Sequence, residues 1–99
     1  MNWMLVKEWL ENHGHINSNW DCIAVGDDSF YAEDKMENTF ISLFTRGDCE
    51  LVAIIGMMRP AVAVGGATDA TIYSIEDVIY FLEDNLEDMY DQLMRKVVG

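Results

Sequence analysis

Five carboxylates follow one another near the carboxyl end of the chain, with no lysine or arginine among them. They lie in YFLEDNLEDMYDQL, residues 80–93, and are Glu83, Asp84, Glu87, Asp88 and Asp91. On a helix, residues four apart share a face and are separated by about 6 Å along the axis, close to the spacing of successive phosphates on a nucleic-acid strand. Because such a row attracts cationic side chains, the pattern predicts a face that imitates a phosphate backbone.

An amphipathic helix has to position these side chains. Ser74 begins it with the capping box SIED, in which Asp77 stands three residues after the cap. The apolar stripe that follows at helical spacing is Ile75, Val78, Ile79, Leu82, Leu86, Met89, Leu93 and Val97. Tyr80 falls among the acids opposite this stripe, and an aromatic ring with a polar rim is typical of an interface hot spot. The predicted partner-binding residues are therefore Tyr80, Glu83, Asp84, Glu87, Asp88 and Asp91.

The row of like charges destabilises the helix that carries it. Glu83–Glu87, Asp84–Asp88 and Glu87–Asp91 are like-charge pairs four residues apart, each unfavourable by about 0.2–0.5 kcal/mol. A face selected only for solubility would interleave lysine, and this one does not. The alternative interpretation is that the residues form an ordinary solvated face, as most charge runs do.

Composition limits the class of protein and the class of partner. Ninety-nine residues, 51% of them apolar, fit one folded domain spanning residues 1–99 with a core of its own. The 18 acidic residues against 6 basic ones give a formal net charge of -12. That charge repels phosphates, so we expect no direct binding to nucleic acid or to an anionic membrane. A basic protein or a cation remains a suitable partner.

Other residue types capable of chemistry do not assemble into a catalytic set. His13 and His15 could bind a transition metal, but their spacing matches no zinc pattern. Cys22 and Cys49 lie in predicted strands and are expected to be buried thiols. Since no nucleophile, base and orienting group can be combined, we expect no enzyme, no metal site and no cofactor.

The rest of the chain predicts a two-layer α+β domain. Residues 2–14 have helical spacing, with Asn2 placed to cap the helix and Gly14 to end it. Strands are predicted at 20–25, 29–32, 39–45 and 49–58, with a further pair, 61–64 and 70–73, around GGATD. We expect an antiparallel sheet of about four strands, flanked by an N-terminal and a C-terminal amphipathic helix.

The strands at 39–45 and 49–58 are apolar on both faces. If the two helices cover the same side of the sheet, an apolar face stays bare and implies a dimer or another partner. If they lie on opposite sides, the monomer closes. The sequence leaves both arrangements open.

Residue patterns also bear on location. Lys7, Glu8 and Glu11 interrupt the place where a signal peptide would need an apolar run. The longest apolar stretch, residues 51–58, is far shorter than the ~20 residues of a membrane helix. We expect a soluble cytoplasmic protein.

In size, charge and layout, the whole chain is similar to two groups of small inhibitors. These are phage counter-defence proteins, including anti-CRISPR and anti-restriction DNA mimics, and immunity proteins that neutralise nuclease toxins. The resemblance implies an acidic inhibitor that binds the basic nucleic-acid-binding surface of another protein, such as a nuclease or a nucleic-acid-guided effector. The alternative is a non-catalytic interaction module, a homodimer through its apolar sheet, whose acidity serves solubility only.

Overall fold

Five antiparallel strands and two helices form the structure, a computed structural model that describes residues 2–20, 22–47, 50–72 and 74–98. In chain order the elements are α1 (Met4–Asn12), β1 (Cys22–Val25), β2 (Ser29–Asp34), β3 (Thr39–Arg46), β4 (Glu50–Met57), β5 (Val62–Thr71) and α2 (Ile75–Val98). The strands form one sheet in the order β1-β2-β3-β4-β5, a meander. The α+β class with two helices is confirmed, and the sheet has five strands where about four were predicted.

The additional pair of strands predicted around GGATD is wrong, because this segment is the middle of one strand, β5. A Cβ at Gly65 would collide with the carbonyl oxygen of Ala53 and lie 2.9 Å from Ile54 Cα. The glycine therefore lets β5 approach β4 closely instead of turning the chain. An irregularity interrupts this pairing between Glu50 and Val52.

Both ends of α1 follow the predicted signals. Asn2 Oδ1 accepts a hydrogen bond from the Met4 amide at 3.2 Å. Gly14 takes a φ of 75°, and the amide of His15 donates to the carbonyl oxygen of Leu10 at 2.9 Å. Backward bonds of this kind satisfy the last carbonyls of a helix, so glycine stops α1 where expected.

The capping box predicted for α2 is present. The amide of Asp77 donates to Ser74 Oγ at 3.4 Å, and the amide of Ser74 donates to Asp77 Oδ2 at 3.2 Å. The 24 residues of α2 extend about 36 Å at 1.5 Å each. This length is comparable to the longest dimension of the molecule, 36 Å.

Two hairpin turns are tied together at one end of the sheet. Asp34, only 4% exposed, accepts hydrogen bonds from the amides of Met36 and Glu37 at 3.0 and 3.3 Å, which shapes the β2–β3 turn. Asn38 ends that turn with a φ of 60°. Its side chain donates to the carbonyl oxygen of Arg59 at 2.6 Å and accepts from the Arg59 amide at 3.1 Å. Residues 33–38 are thus the end of β2 and a tight turn.

Both helices pack on the same face of the sheet. Ile41 is paired with Ile55 and Leu43 with Ala53, and all four are buried. They belong to one core cluster with Trp3, which precedes α1, and with residues of both helices, which are Val6, Leu10, Val78, Leu82, Leu86, Met89 and Leu93. The alternate residues of the strands point to the second face of the sheet. Within the described residues, neither helix covers this face. The arrangement that leaves apolar surface bare is the one observed.

Gly65→Ala is expected to lower the free energy of unfolding by about 1–3 kcal/mol, because the new Cβ forces β5 away from β4. Gly66→Ala is the matched control, since a Cβ there has no heavy atom within 4 Å. The control should unfold at an equal or slightly higher urea concentration, because alanine restricts the unfolded chain. Equal losses of unfolding free energy in the two variants would mean that the close approach of β5 to β4 at Gly65 is not the cause of the destabilisation.

Candidate partner-binding face on the C-terminal helix

The structure brings all six predicted partner-binding residues together on the solvent side of α2. On a helical wheel with 100° per residue, the buried residues of α2 are centred on Leu82 and Leu93. The opposite side of the wheel is centred on Asp84 and Asp91. Tyr80 is 65% exposed and lies in that direction. The remaining members are exposed as well, namely Glu83, Asp84, Glu87, Asp88 and Asp91. We call these six residues the acidic face.

Neighbouring cations do not neutralise the acidic face. Within the described ranges, the ion pairs are Lys7–Glu11 in α1 and Arg46–Glu50 at 3.1 Å between β3 and β4. Arg95 stands one turn after Asp91, and no ion pair joins the two in the part of the chain that the structure describes. Lys96 instead donates from Nζ to the carbonyl oxygen of Ala63 at 3.2 Å. The acidic face therefore presents its charge to solvent uncompensated.

The acidic face combines charge with one exposed ring. Glu83 and Asp91 are eight residues apart, which places them about 12 Å apart along the axis. Tyr80 adjoins Glu83 and Asp84, which follow it by three and four residues. Carboxylates accept hydrogen bonds from guanidinium and ammonium groups, and a tyrosine ring can stack on a guanidinium. The arrangement is suited to an arginine- and lysine-rich surface.

A row of stacked rings joins the end of α1 to α2 beside the acidic face. The ring centroids of Trp9 and His13 are 4.4 Å apart, those of Trp9 and His15 are 5.5 Å apart, and those of His15 and Tyr90 are 5.9 Å apart. The two histidines considered as metal ligands are thus engaged in packing. The described residues contain no group of three His, Cys, Asp or Glu arranged to hold a metal ion. Sequence spacing does not indicate this row, because its members come from α1, the segment after it and α2.

Burial sets the protonation of two rings in this row. It raises the pKa of Tyr90 to about 12, so the phenol stays neutral. It also lowers the pKa of His15 below the ordinary 6.5; the charge of His13 adds to the lowering, and the carboxylate of Glu87 opposes it. His15 therefore connects the packing of α1 electrostatically to the acidic face.

The prediction that the thiols of Cys22 and Cys49 are buried falls on groups that lie outside the described part of the chain. Cys22 begins β1, but its side chain is outside that part, as is the whole of Cys49.

Comparisons with protein-family models, with curated proteins and with solved structures found no match to this chain.

None of the helices in residues 2–20, 22–47, 50–72 and 74–98 has both the length and the apolar character needed to cross a membrane.

Neutralising the acidic face should stabilise the protein. The face variant carries Asp84→Asn, Glu87→Gln, Asp88→Asn and Asp91→Asn, which removes all three like-charge pairs. Its free energy of unfolding should rise by about 0.6–1.5 kcal/mol at low salt, and the gain should shrink at ~1 M salt as the charges are screened. Urea unfolding at two salt concentrations measures this. 

A matched control separates local repulsion from net charge. Amide replacement of Glu8, Asp27, Asp28 and Glu37 changes the formal charge by the same four units at exposed sites away from the acidic face. This control variant should gain less stability than the face variant. A face variant less stable than the native chain would mean that the carboxylates support the fold.

Acidification below pH 6.5 should destabilise the protein through His15. The unfolded state takes up this proton at the ordinary pKa of 6.5, whereas the folded state, with its lowered pKa, takes it up only at lower pH. Between the two values the unfolded state binds more protons, so the free energy of unfolding falls as pH falls, and above pH 6.5 His15 contributes nothing. In His15→Gln, urea unfolding between pH 7.5 and 5.5 should show a smaller decline, whereas an unchanged decline would exclude His15 as its source.

Proposed function

We propose that the protein is an acidic inhibitor that occupies the basic nucleic-acid-binding surface of another protein. The observation that supports this most directly is the uncompensated acidic face on a helix about as long as the longest dimension of the molecule. Its carboxylates follow the axis at intervals that resemble a phosphate row. A protein surface that evolved to bind phosphates would meet the same sign of charge at a similar spacing.

Electrostatic steering is the expected basis of recognition. A partner with a positive groove is attracted to the net charge of -12, which speeds encounter and makes it sensitive to salt. Tyr80 provides an aromatic anchor within the charged area, and rings of this kind often supply a large share of interface energy. The inhibitor then acts by occupancy, so it requires no reaction and no cofactor.

The distribution of basic residues favours binding over solubility as the reason for the acidic face. Solubility is satisfied by interspersed charges of both signs with a net charge of about 2–8 for a small domain, so it does not require a run of acids without lysine. The bases of α2, Arg95 and Lys96, are confined to its last turn, where they complement the helix dipole. The middle of α2 keeps its like-charge pairs despite their unfavourable energy.

The partner class follows from chemistry and from the resemblance to small inhibitors. A nuclease, a restriction subunit or a nucleic-acid-guided effector carries a basic groove of the required kind, as does a nuclease toxin. The proposal therefore covers phage counter-defence, including anti-CRISPR and anti-restriction activity, and toxin immunity, each exercised in the cytoplasm. Under the alternative, a non-catalytic module whose acidity only maintains solubility, the acidic face contacts nothing.

Capture from a lysate distinguishes the two. The immobilised native chain should retain basic nucleic-acid-binding proteins at low salt, and duplex DNA or added salt should release them, because they share one charged surface. The face variant should lose this capture. Mass spectrometry of the eluates, followed by an activity assay of each retained enzyme with and without the chain, provides the measurement.

The control variant at Glu8, Asp27, Asp28 and Glu37 has the same net charge as the face variant and should still capture the same proteins. Equal loss in both variants would indicate nonspecific attraction to net charge. Retention of the same partners by the face variant would contradict the proposed binding site and support the solubility interpretation.

A further inference from the structure

The uncovered face of the sheet has a raised half and a shallow half. Tyr31, Phe40 and Phe44 of β2 and β3 form the raised half, which we call the aromatic ridge, and the rings of Tyr31 and Phe40 stack at 6.2 Å. Across β4 and β5 the same face carries smaller side chains around an open groove of about 390 Å³. We call this groove the trough, and its lining includes Val52, Ile54, Ala63, Gly65 and Ala67.

The register places the ridge and the trough side by side. Phe44 is paired with Val52, and Ser42 with Ile54, so the boundary runs between β3 and β4. Gly56 is paired with Phe40. A Cβ added at Gly56 would lie 2.8 Å from Cε1 of Phe40, so the phenyl ring leans over the glycine. A two-fold axis parallel to the strands would place the ridge of one copy over the trough of the other, and the trough over the ridge.

The available area is sufficient for a stable dimer. The five strands lie about 4.8 Å apart and contain 36 residues in all, which at ~3.3 Å per residue gives a face of about 570 Å². Two such faces in contact bury about 1,100 Å², which exceeds the ~1,000 Å² expected of a specific interface. Paired sheets of this kind pack about 10 Å apart with interdigitating side chains.

Charge does not oppose this contact, despite the net charge of -12 on each copy. The middle of the face carries no charged side chain in the described residues, and the charged ones are Glu33 on β2 and the Arg46–Glu50 pair at the end of β3 and β4. The acidic face lies on the far side of α2, about 15 Å from its own sheet. Two acidic faces in a sheet-to-sheet dimer are therefore about 40 Å apart, several times the ~8 Å screening length.

Other modes of association are less suited to the surface. Pairing along the β5 edge is hindered because Lys96 already occupies the carbonyl oxygen of Ala63. The opposite edge strand, β1, has four residues and offers few ladder hydrogen bonds. A basic partner gains nothing from the uncharged middle of the face, whereas a second copy supplies the matching ridge.

We propose that two copies of this chain dimerise sheet to sheet, with the aromatic ridge of each seated in the trough of the other. The dimer exposes its two acidic faces on opposite outer surfaces. It does not depend on the proposed inhibitor function, because the surfaces involved are on opposite layers of the molecule.

Sedimentation equilibrium of the native chain at ~0.1 M and ~1 M salt tests the dimer. The mass should be twice the chain's 11.3 kDa at both concentrations, because an apolar contact is not weakened by screening. Ile54→Lys places a charge in the trough and should raise the dissociation constant at least ~100-fold. Ser42→Lys, at an already polar position next to the ridge, should do the same and is the second variant if Ile54→Lys does not fold.

Met36→Lys is the control, since Met36 is 82% exposed in the β2–β3 turn and should leave the dimer intact. Circular dichroism confirms that each variant is folded. A native chain of 11.3 kDa at ~100 μM would overturn the proposal, since the two sheets would then not associate. A folded Ser42→Lys or Ile54→Lys that remains a dimer at both salt concentrations would also overturn it, because the contact would then involve another surface.

Discussion

The packing of both helices on one face of the sheet determines the rest of the structure. With two helices and one sheet, the chain has enough apolar surface to cover only one side, and Val6, Leu10, Val78 and Leu82 all bury against it. Two outer surfaces of opposite character result. One is the solvent side of α2, rich in carboxylates, and the other is the second face of the sheet, rich in aromatic and small apolar side chains. Both candidate binding surfaces are consequences of this single asymmetry.

The core is strong enough to support an unfavourable surface charge. Burying a leucine contributes about 1.5–3 kcal/mol, and Leu82, Leu86 and Leu93 are all buried along one stripe of α2. The like-charge pairs on the other side cost a few tenths of a kcal/mol each, so burial exceeds repulsion several-fold. The capping box of Ser74 and Asp77 fixes the start of the helix in addition. Uncompensated charge can persist on α2 because packing, not surface pairing, maintains the helix.

Local signals were sufficient to predict much of this fold. The capping box, the apolar stripe of α2 and the glycine stop of α1 are each encoded within a few residues. The position of the acidic face followed from the same periodicity. The length of β5 was missed because Gly65 and Gly66 look like a turn when β4 is not known to lie alongside. The side on which each helix packs was not predictable, since strands 39–45 and 49–58 are apolar on both faces. The ring row from Trp9 to Tyr90 depends on contacts between elements, which periodicity does not report.

The two sides of α2 divide the residues that maintain the fold from those that face outward. Substitutions at Tyr80, Asp84 or Asp91 leave every buried contact of the core in place, because these side chains point away from it. A lineage could therefore exchange, add or remove outward residues quickly while its scaffold stayed constant. In an evolutionary contest with a changing target, such a helix can acquire a new specificity by single steps, each of which yields a folded protein.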